Sequence, residues 1–99
     1  MRQHTASEKL KGILNESMSF AMLLRSIRTR DDLTQKTLAD KLGVSVSHIS
    51  DLENGRKFVS VERASEFAKK LGESEKFFIM LALQDQLTNA DLDYEVKVA

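Results

Sequence analysis

The sequence contains no cysteine, no proline and no tryptophan, and only four of its 99 residues are glycine. Without cysteine the chain can form neither a disulfide framework nor a thiolate metal site, and it suits a reducing compartment. No apolar run approaches the length of a membrane span, and the N-terminus lacks the apolar core of a signal peptide. The composition therefore predicts a soluble cytoplasmic protein, small enough for one core and built from helices with short connections.

Charge is balanced over the chain but unevenly distributed. Residues 20–72 contain ten Lys or Arg and seven Asp or Glu, a net charge of +3. Residues 73–99 contain two and six, a net charge of −4. We therefore divide the chain into an N-terminal extension (1–18), a central domain (19–72) and a C-terminal helix and tail (73–99) that serves dimerisation or partner binding. A mildly basic body fits a nucleic-acid partner, although charge alone does not identify one.

The most informative stretch is residues 34–55, which predicts two short helices joined by a tight corner. Thr34 is a good N-cap, and Leu38 and Leu42 then fall four residues apart on one helix face. Gly43 can take the left-handed conformation that ends a helix, and Val44 can pack beneath the corner.

A second helix begins at Ser45 and carries Ile49 and Leu52 on its inward face, until Asn54-Gly55 ends it. Two helices joined by so short a turn form a helix-turn-helix. The second helix of such a motif has the width of the major groove of B-DNA.

At this point the sequence resembles the lambda-repressor/Cro-type (XRE) transcriptional regulators, over about residues 20–72. The resemblance is carried by Leu33-Thr34-Gln35, Leu38-Ala39, Leu42-Gly43-Val44-Ser45, Ile49-Ser50 and Leu52-Glu53-Asn54-Gly55. It implies an all-α, five-helix domain that binds double-stranded DNA through its helix-turn-helix.

Serine residues mark the starts of the remaining helices. Ser19, Ser60 and Ser74 are predicted N-caps, and a further helix in the N-terminal extension is expected to begin near Ser7. We expect Phe67 at the border of the inward stripe of the helix after Ser60. Residues 91–98 alternate apolar and polar side chains, which predicts a strand. Such a strand could pair with its twin in a dimer or with a partner's sheet, and a disordered tail is the alternative.

The resemblance implies which residues contact DNA. Base readout is expected from the exposed face of the second helix, at Val46, Ser47, Ser50 and Asp51. Serine hydroxyls can bond base edges, valine can contact a thymine methyl group, and aspartate can accept from a cytosine amino group. Phosphate contacts are expected at Gln35, Ser45, His48, Asn54, Arg56 and Lys57, with Arg28 and Lys36 as further candidates. Glu53 is expected to pair with an arginine of the first helix.

Seven consecutive apolar residues, 77–83, would surround a helix on every side. One small core cannot cover such a helix, so we expect a homodimer. The predicted interface residues are Phe78, Met80, Leu81, Tyr94 and Val96.

An enzyme is not expected. Ser47, His48 and Asp51 superficially resemble a hydrolytic triad, but adjacent residues on a helix point about 100° apart and cannot serve as nucleophile and base. The sequence contains no phosphate-binding glycine loop, and His4 and His48 have no metal-ligand spacing, so we expect no cofactor or metal.

Two functions fit these features. One is a stand-alone repressor that binds a palindromic operator as a dimer. The other is a HigA-like antitoxin of a type II pair, which would also bind a toxin protein and regulate its own operon.

Overall fold

The computed structural model describes residues 18–97, which form five α-helices and no strand. The helices are α1 (Phe20–Arg30), α2 (Gln35–Leu42), α3 (Val46–Glu53), α4 (Val61–Leu71) and α5 (Glu75–Asn89). The prediction of an all-α, five-helix domain is confirmed. The helix expected near Ser7 lies outside the described residues. Within residues 18–97, no helix is long and apolar enough to cross a membrane.

Each of the five helices begins with a hydroxyl cap. The side-chain oxygen of the N-cap residue accepts a hydrogen bond from the backbone N–H three residues later, at 3.0–3.2 Å. The caps are Ser19, Thr34, Ser45, Ser60 and Ser74, as predicted. A cap of this kind stabilises a helix by about 1 kcal/mol, because the first N–H groups have no partner within the helix.

The corner between α2 and α3 is closed by Gly43, whose φ of 72° is left-handed. Its N–H donates to the carbonyl of Asp40, and the N–H of Val44 donates to the carbonyl of Ala39. This pair of bonds is the Schellman motif, and it turns the chain directly into the Ser45 cap of α3. The Lys70 ammonium of α4 also donates to the carbonyl of Leu42, at 3.1 Å. The last carbonyl groups of α2 therefore find hydrogen-bond donors in both the backbone and a side chain.

All five helices contribute to one core. Phe20 and Phe78 pack edge to face, with ring centroids 5.5 Å apart, and so join α1 to α5. Among residues 18–97 the buried apolar side chains number sixteen: Phe20, Leu23, Leu24, Ile27, Leu38, Ala39, Leu42, Ile49, Leu52, Val59, Ala64, Phe67, Ala68, Phe78, Leu81 and Ala82.

The structure corrects the predicted dimer interface at two residues of α5, Phe78 and Leu81. Phe78 and Leu81 are 1% and 4% exposed, because α5 packs against α4 and α1 and gives these side chains to the chain's own core. They are therefore not available to a second copy. Met80 is only partly buried, and Phe77 is exposed, so one side of α5 still carries apolar surface.

The segment after α5 is held against that helix by a single glutamine. Gln84 Nε2 donates to the carbonyl of Tyr94 at 2.9 Å, and Gln84 Oε1 accepts from the N–H of Val96 at 2.8 Å. The Tyr94 side chain is 70% exposed. The predicted strand has no partner strand within residues 18–97, and this tether takes its place.

Candidate nucleic-acid interface

Helix α3 has one buried side and one exposed side. Ile49 and Leu52 are 0% and 2% exposed and fix the helix in the core. On the other side Val46 is 43% exposed and Ser47 is also open to solvent. Ser50, four residues after Val46 and three after Ser47, lies on the same side and is partly covered. The residues expected to contact bases therefore share a face that points away from the core.

The end of α3 is fixed by a buried charge. Glu53 is 3% exposed and is the one buried charged residue among those described. Its carboxylate accepts from Arg28 Nε at 2.8 Å, from Arg28 Nη2 at 3.0 Å and from Gln35 Nε2 at 3.2 Å. Its backbone carbonyl accepts from Arg25 Nη2 at 2.7 Å. The predicted pairing of Glu53 with an arginine of the first helix is confirmed, and it joins α1, α2 and α3.

Arg28 is occupied by this network. It donates to Glu53 through two nitrogens and to the carbonyl of Leu33 through a third, at 3.2 Å. This arrangement suits a structural arginine better than a phosphate contact. The bonds to Glu53 also raise the pKa of Arg28. Gln35, expected at a phosphate, supports α3 through its hydrogen bond to Glu53.

Two other expected phosphate ligands, Ser45 and Asn54, lie at the two ends of α3. At its start, the Ser45 hydroxyl accepts from the N–H of His48, at 3.0 Å. At its end, the Asn54 amide donates to the carbonyl of Ser50, at 2.8 Å. Lys36, a further candidate on α2, pairs with Asp40 at 3.2 Å. Ser45 and Asn54 are both exposed, and they cap opposite ends of α3.

Asp51 is paired with both cations of the following loop. Arg56 Nε donates to Asp51 Oδ1 at 2.8 Å, and Lys57 Nζ lies 3.4 Å from Asp51 Oδ2. Arg56 Nη2 also donates to Ser50 Oγ at 3.2 Å. These contacts hold the pKa of Asp51 below its usual value, mainly through the bond from Arg56. Two expected base-reading residues are thus joined to two expected phosphate ligands.

His48 lies beside Arg63, a cation that was not among the predicted site residues. Arg63, near the start of α4, places Nη1 3.4 Å from His48 Nε2, and its guanidinium carbon lies over the Phe67 ring, 5.8 Å from the centroid. Burial lowers the pKa of His48, and the nearby charges of Arg63 and Lys57 lower it further. Nothing in the spacing of residues 48 and 63 could have predicted this pair, because they belong to different helices.

A model of the helix-turn-helix family matches residues 24–78, from the middle of α1 to the first turn of α5. This match covers more than half of the chain. The chain belongs to the helix-turn-helix family of Cro and lambda-repressor-type regulators. It is therefore a DNA-binding transcriptional regulator. A comparison with curated protein sequences finds no significant match.

The family that matches consists of DNA-binding regulatory domains. In the part of the chain from 18 to 97, no three His, Asp or Glu side chains form a group that could hold a metal ion.

Proposed function

We propose that this helix-turn-helix regulator is a cytoplasmic repressor that binds a palindromic operator as a homodimer, with α3 in the major groove. The main support for this proposal is the buried Glu53, whose hydrogen bonds fix α3 to both α1 and α2. A recognition helix must be held rigidly if its outward side chains are to meet base edges in one register. Fixation from the buried side leaves the opposite side free for DNA.

Base readout in this proposal begins with the first turn of α3. Val46 contacts a thymine methyl group, and the hydroxyls of Ser47 and Ser50 bond base edges. Both serines are small, so the helix can approach the groove floor closely. The Asp51 carboxylate already has two partners within the chain, Arg56 and Lys57.

Phosphate contacts come from residues around this face. Gln35 and Ser45 lie at the starts of α2 and α3, where free backbone N–H groups also favour an anion. Asn54 and Lys57 follow the end of α3, and His48 lies between these two ends. Such contacts supply affinity and orientation, and they make binding dependent on salt concentration.

A dimer is proposed because one recognition helix reads only a few base pairs. Two helices about 34 Å apart on a palindrome would supply the specificity that one lacks. The surface that supports this proposal is the uncovered side of α5 with the segment that follows it: Met80, Tyr94 and Val96 from the predicted set, and Phe77 in addition.

The experiment is selection of duplexes from a randomised library, followed by measurement of the mass of the complex. We expect a recovered site with two inverted half-sites whose centres are one helical turn apart, bound by two chains. Recovery of no preferred sequence would contradict specific binding. A single half-site bound by one chain would contradict the dimer.

An antitoxin is the second candidate, favoured by the exposed segment that follows α5. Leu92 and Tyr94 are 49% and 70% exposed, and an extended segment with apolar side chains can dock on a partner protein. Expression together with the product of the adjacent gene tests this candidate. Co-purification of the two proteins, lost when residues 91–99 are removed, would favour it, and separate elution would exclude it for that gene product.

A further inference from the structure

Arg56 does not extend into solvent as an isolated cation. Its guanidinium lies against the last exposed turn of α3, with Nε 2.8 Å from Asp51 Oδ1 and Nη2 3.2 Å from Ser50 Oγ. Ser50 and Asp51 are three and four residues after Ser47, so all three share one side of the helix. Arg56 is therefore held on the face that the proposed function assigns to base readout, although it belongs to the loop after α3.

The hydrogen bonds that Arg56 already makes determine which of its N–H groups can bind another acceptor. A guanidinium has five N–H donors arranged as a planar fork. The two bonds to Asp51 and Ser50 use Nε and one N–H of Nη2, which form the side edge of the fork. The end edge, made by Nη1 and the second N–H of Nη2, makes no hydrogen bond or ion pair to other residues within 18–97. Two parallel donors are thus presented by a side chain whose orientation is already fixed.

We propose that Arg56 reads a guanine in the major groove, and that Asp51 is the positioning residue that aims it, with the base-reading Ser50 as the second hydrogen-bond acceptor of Arg56. Guanine offers O6 and N7 as adjacent acceptors on its major-groove edge, and these match the parallel donors of an arginine fork. This inference rests on the proposed function, and it changes the role that sequence resemblance gave to Arg56 and to Asp51.

A guanine fits this arrangement better than a phosphate does, for two reasons. A phosphate contact gains most from unneutralised charge, and the Asp51 carboxylate offsets part of the charge of Arg56. A base contact gains most from fixed geometry, which the same carboxylate supplies. Lys57 differs from Arg56 in this respect, because its ammonium is a point charge with no fork and lies farther from Asp51, at 3.4 Å.

The test uses the full chain and the duplex recovered by selection, with each base pair of one half-site replaced in turn. Wild-type protein should lose about tenfold in affinity when the guanine is replaced. Arg56→Ala and Arg56→Lys should both remove that discrimination at one G·C pair and keep it elsewhere. Asp51→Asn should reduce discrimination at the same pair, because the fork is no longer held. Lys57→Ala is the matched control and should weaken binding to every duplex by a similar factor.

Circular dichroism of each variant establishes that it is folded, and all three positions are near the surface. A uniform loss for Arg56→Ala on every duplex, restored by Arg56→Lys, would assign Arg56 to a phosphate and overturn the inference. Unchanged discrimination at every position would overturn it as well. In both of these cases a preferred duplex still exists, so the proposed function stands. Only a wild-type protein with no preferred duplex would remove both.

Discussion

Replacing Glu53 by alanine should destabilise the domain more than any other change to a charged residue among those described. The carboxylate is almost wholly buried and accepts three hydrogen bonds, two from Arg28 and one from Gln35. Its removal leaves the Arg28 guanidinium partly buried without its counter-charge. Breaking one partner out of a buried ion pair costs about 3–5 kcal/mol.

The lower end of that range applies here, because the Arg28 side chain is 23% exposed and can recover some hydration. We therefore expect a loss of about 3 kcal/mol in the free energy of unfolding. For a domain of this size each kcal/mol lowers the melting temperature by about 4–8 °C, so the shift should be about 12–24 °C. Urea unfolding followed by circular dichroism measures the same loss as a shift of the midpoint at constant slope.

Two further variants make this prediction specific. Glu66→Ala is a matched control, since Glu66 pairs with Lys70 on the surface, and its effect should be much smaller. Arg28→Ala combined with Glu53→Ala should cost clearly less than the two single changes added together, because the charges depend on each other. A loss below about 1 kcal/mol for Glu53→Ala, or strict additivity in the double variant, would refute the view that this pair fixes α3.

Three other predictions follow from single sites. Gly43→Val should lower the free energy of unfolding by more than about 1 kcal/mol, because a β-branched residue is strained at its φ of 72° even where a Cβ has space. An unchanged melting midpoint would contradict this. Phe78→Ala should lower the free energy of unfolding by about 3–5 kcal/mol, because the side chain is buried in the core. The melting temperature should fall equally in dilute and concentrated samples. A loss that depends on protein concentration would instead place Phe78 in an interface. His48 has a folded-state pKa below the usual 6.5, so the folded chain binds fewer protons than the unfolded one. Its contribution to stability should be present above about pH 6.5 and lost as the pH falls through the folded pKa. His48→Gln should remove this part of the pH dependence, and identical profiles for the two proteins would contradict the assignment.

The sequence was most informative where local rules decide the structure. Each helix start could be predicted from a serine or threonine, because capping is a contact between a side chain and a backbone group three residues away. The left-handed Gly43 followed from its place after the last periodic leucine. The pairing of Glu53 with α1 came from the family resemblance, and its geometry required the packed structure.

Predictions failed where several helices decide the environment of one residue. The apolar run in α5 was interpreted as an excess of hydrophobic surface, but Phe78 and Leu81 fill the space between α4 and α1. Phe67 was expected at the border of its helix stripe and is 1% exposed instead. In the loop after α3, Val59 is buried whereas its neighbour Phe58 is 48% exposed. No periodicity within one helix reports how many neighbours surround it.

The contacts of Asp51 with Arg56 and Lys57 could not be predicted from the sequence either. Asp51, Arg56 and Lys57 are close in the chain, but a helix end and a turn at Gly55 separate them. Their contact depends on the direction in which the chain leaves α3. The backbone N–H groups of Arg56 and Lys57 both donate to the carbonyl of Asp51, at 2.8 and 3.3 Å, and this brings the two cations back over the helix.

The central claim is that the outward face of α3 selects the DNA sequence. Its most direct test repeats the selection from a randomised duplex library with a variant carrying Val46→Ala and Ser47→Ala. These two side chains are exposed, and the Ser45 cap is left intact, so the variant should fold as the wild type does. We predict a recovered site that keeps its symmetry and spacing but loses its preference at the base pairs that face the start of α3. Recovery of the same sequence with the same preference at every position would contradict the claim.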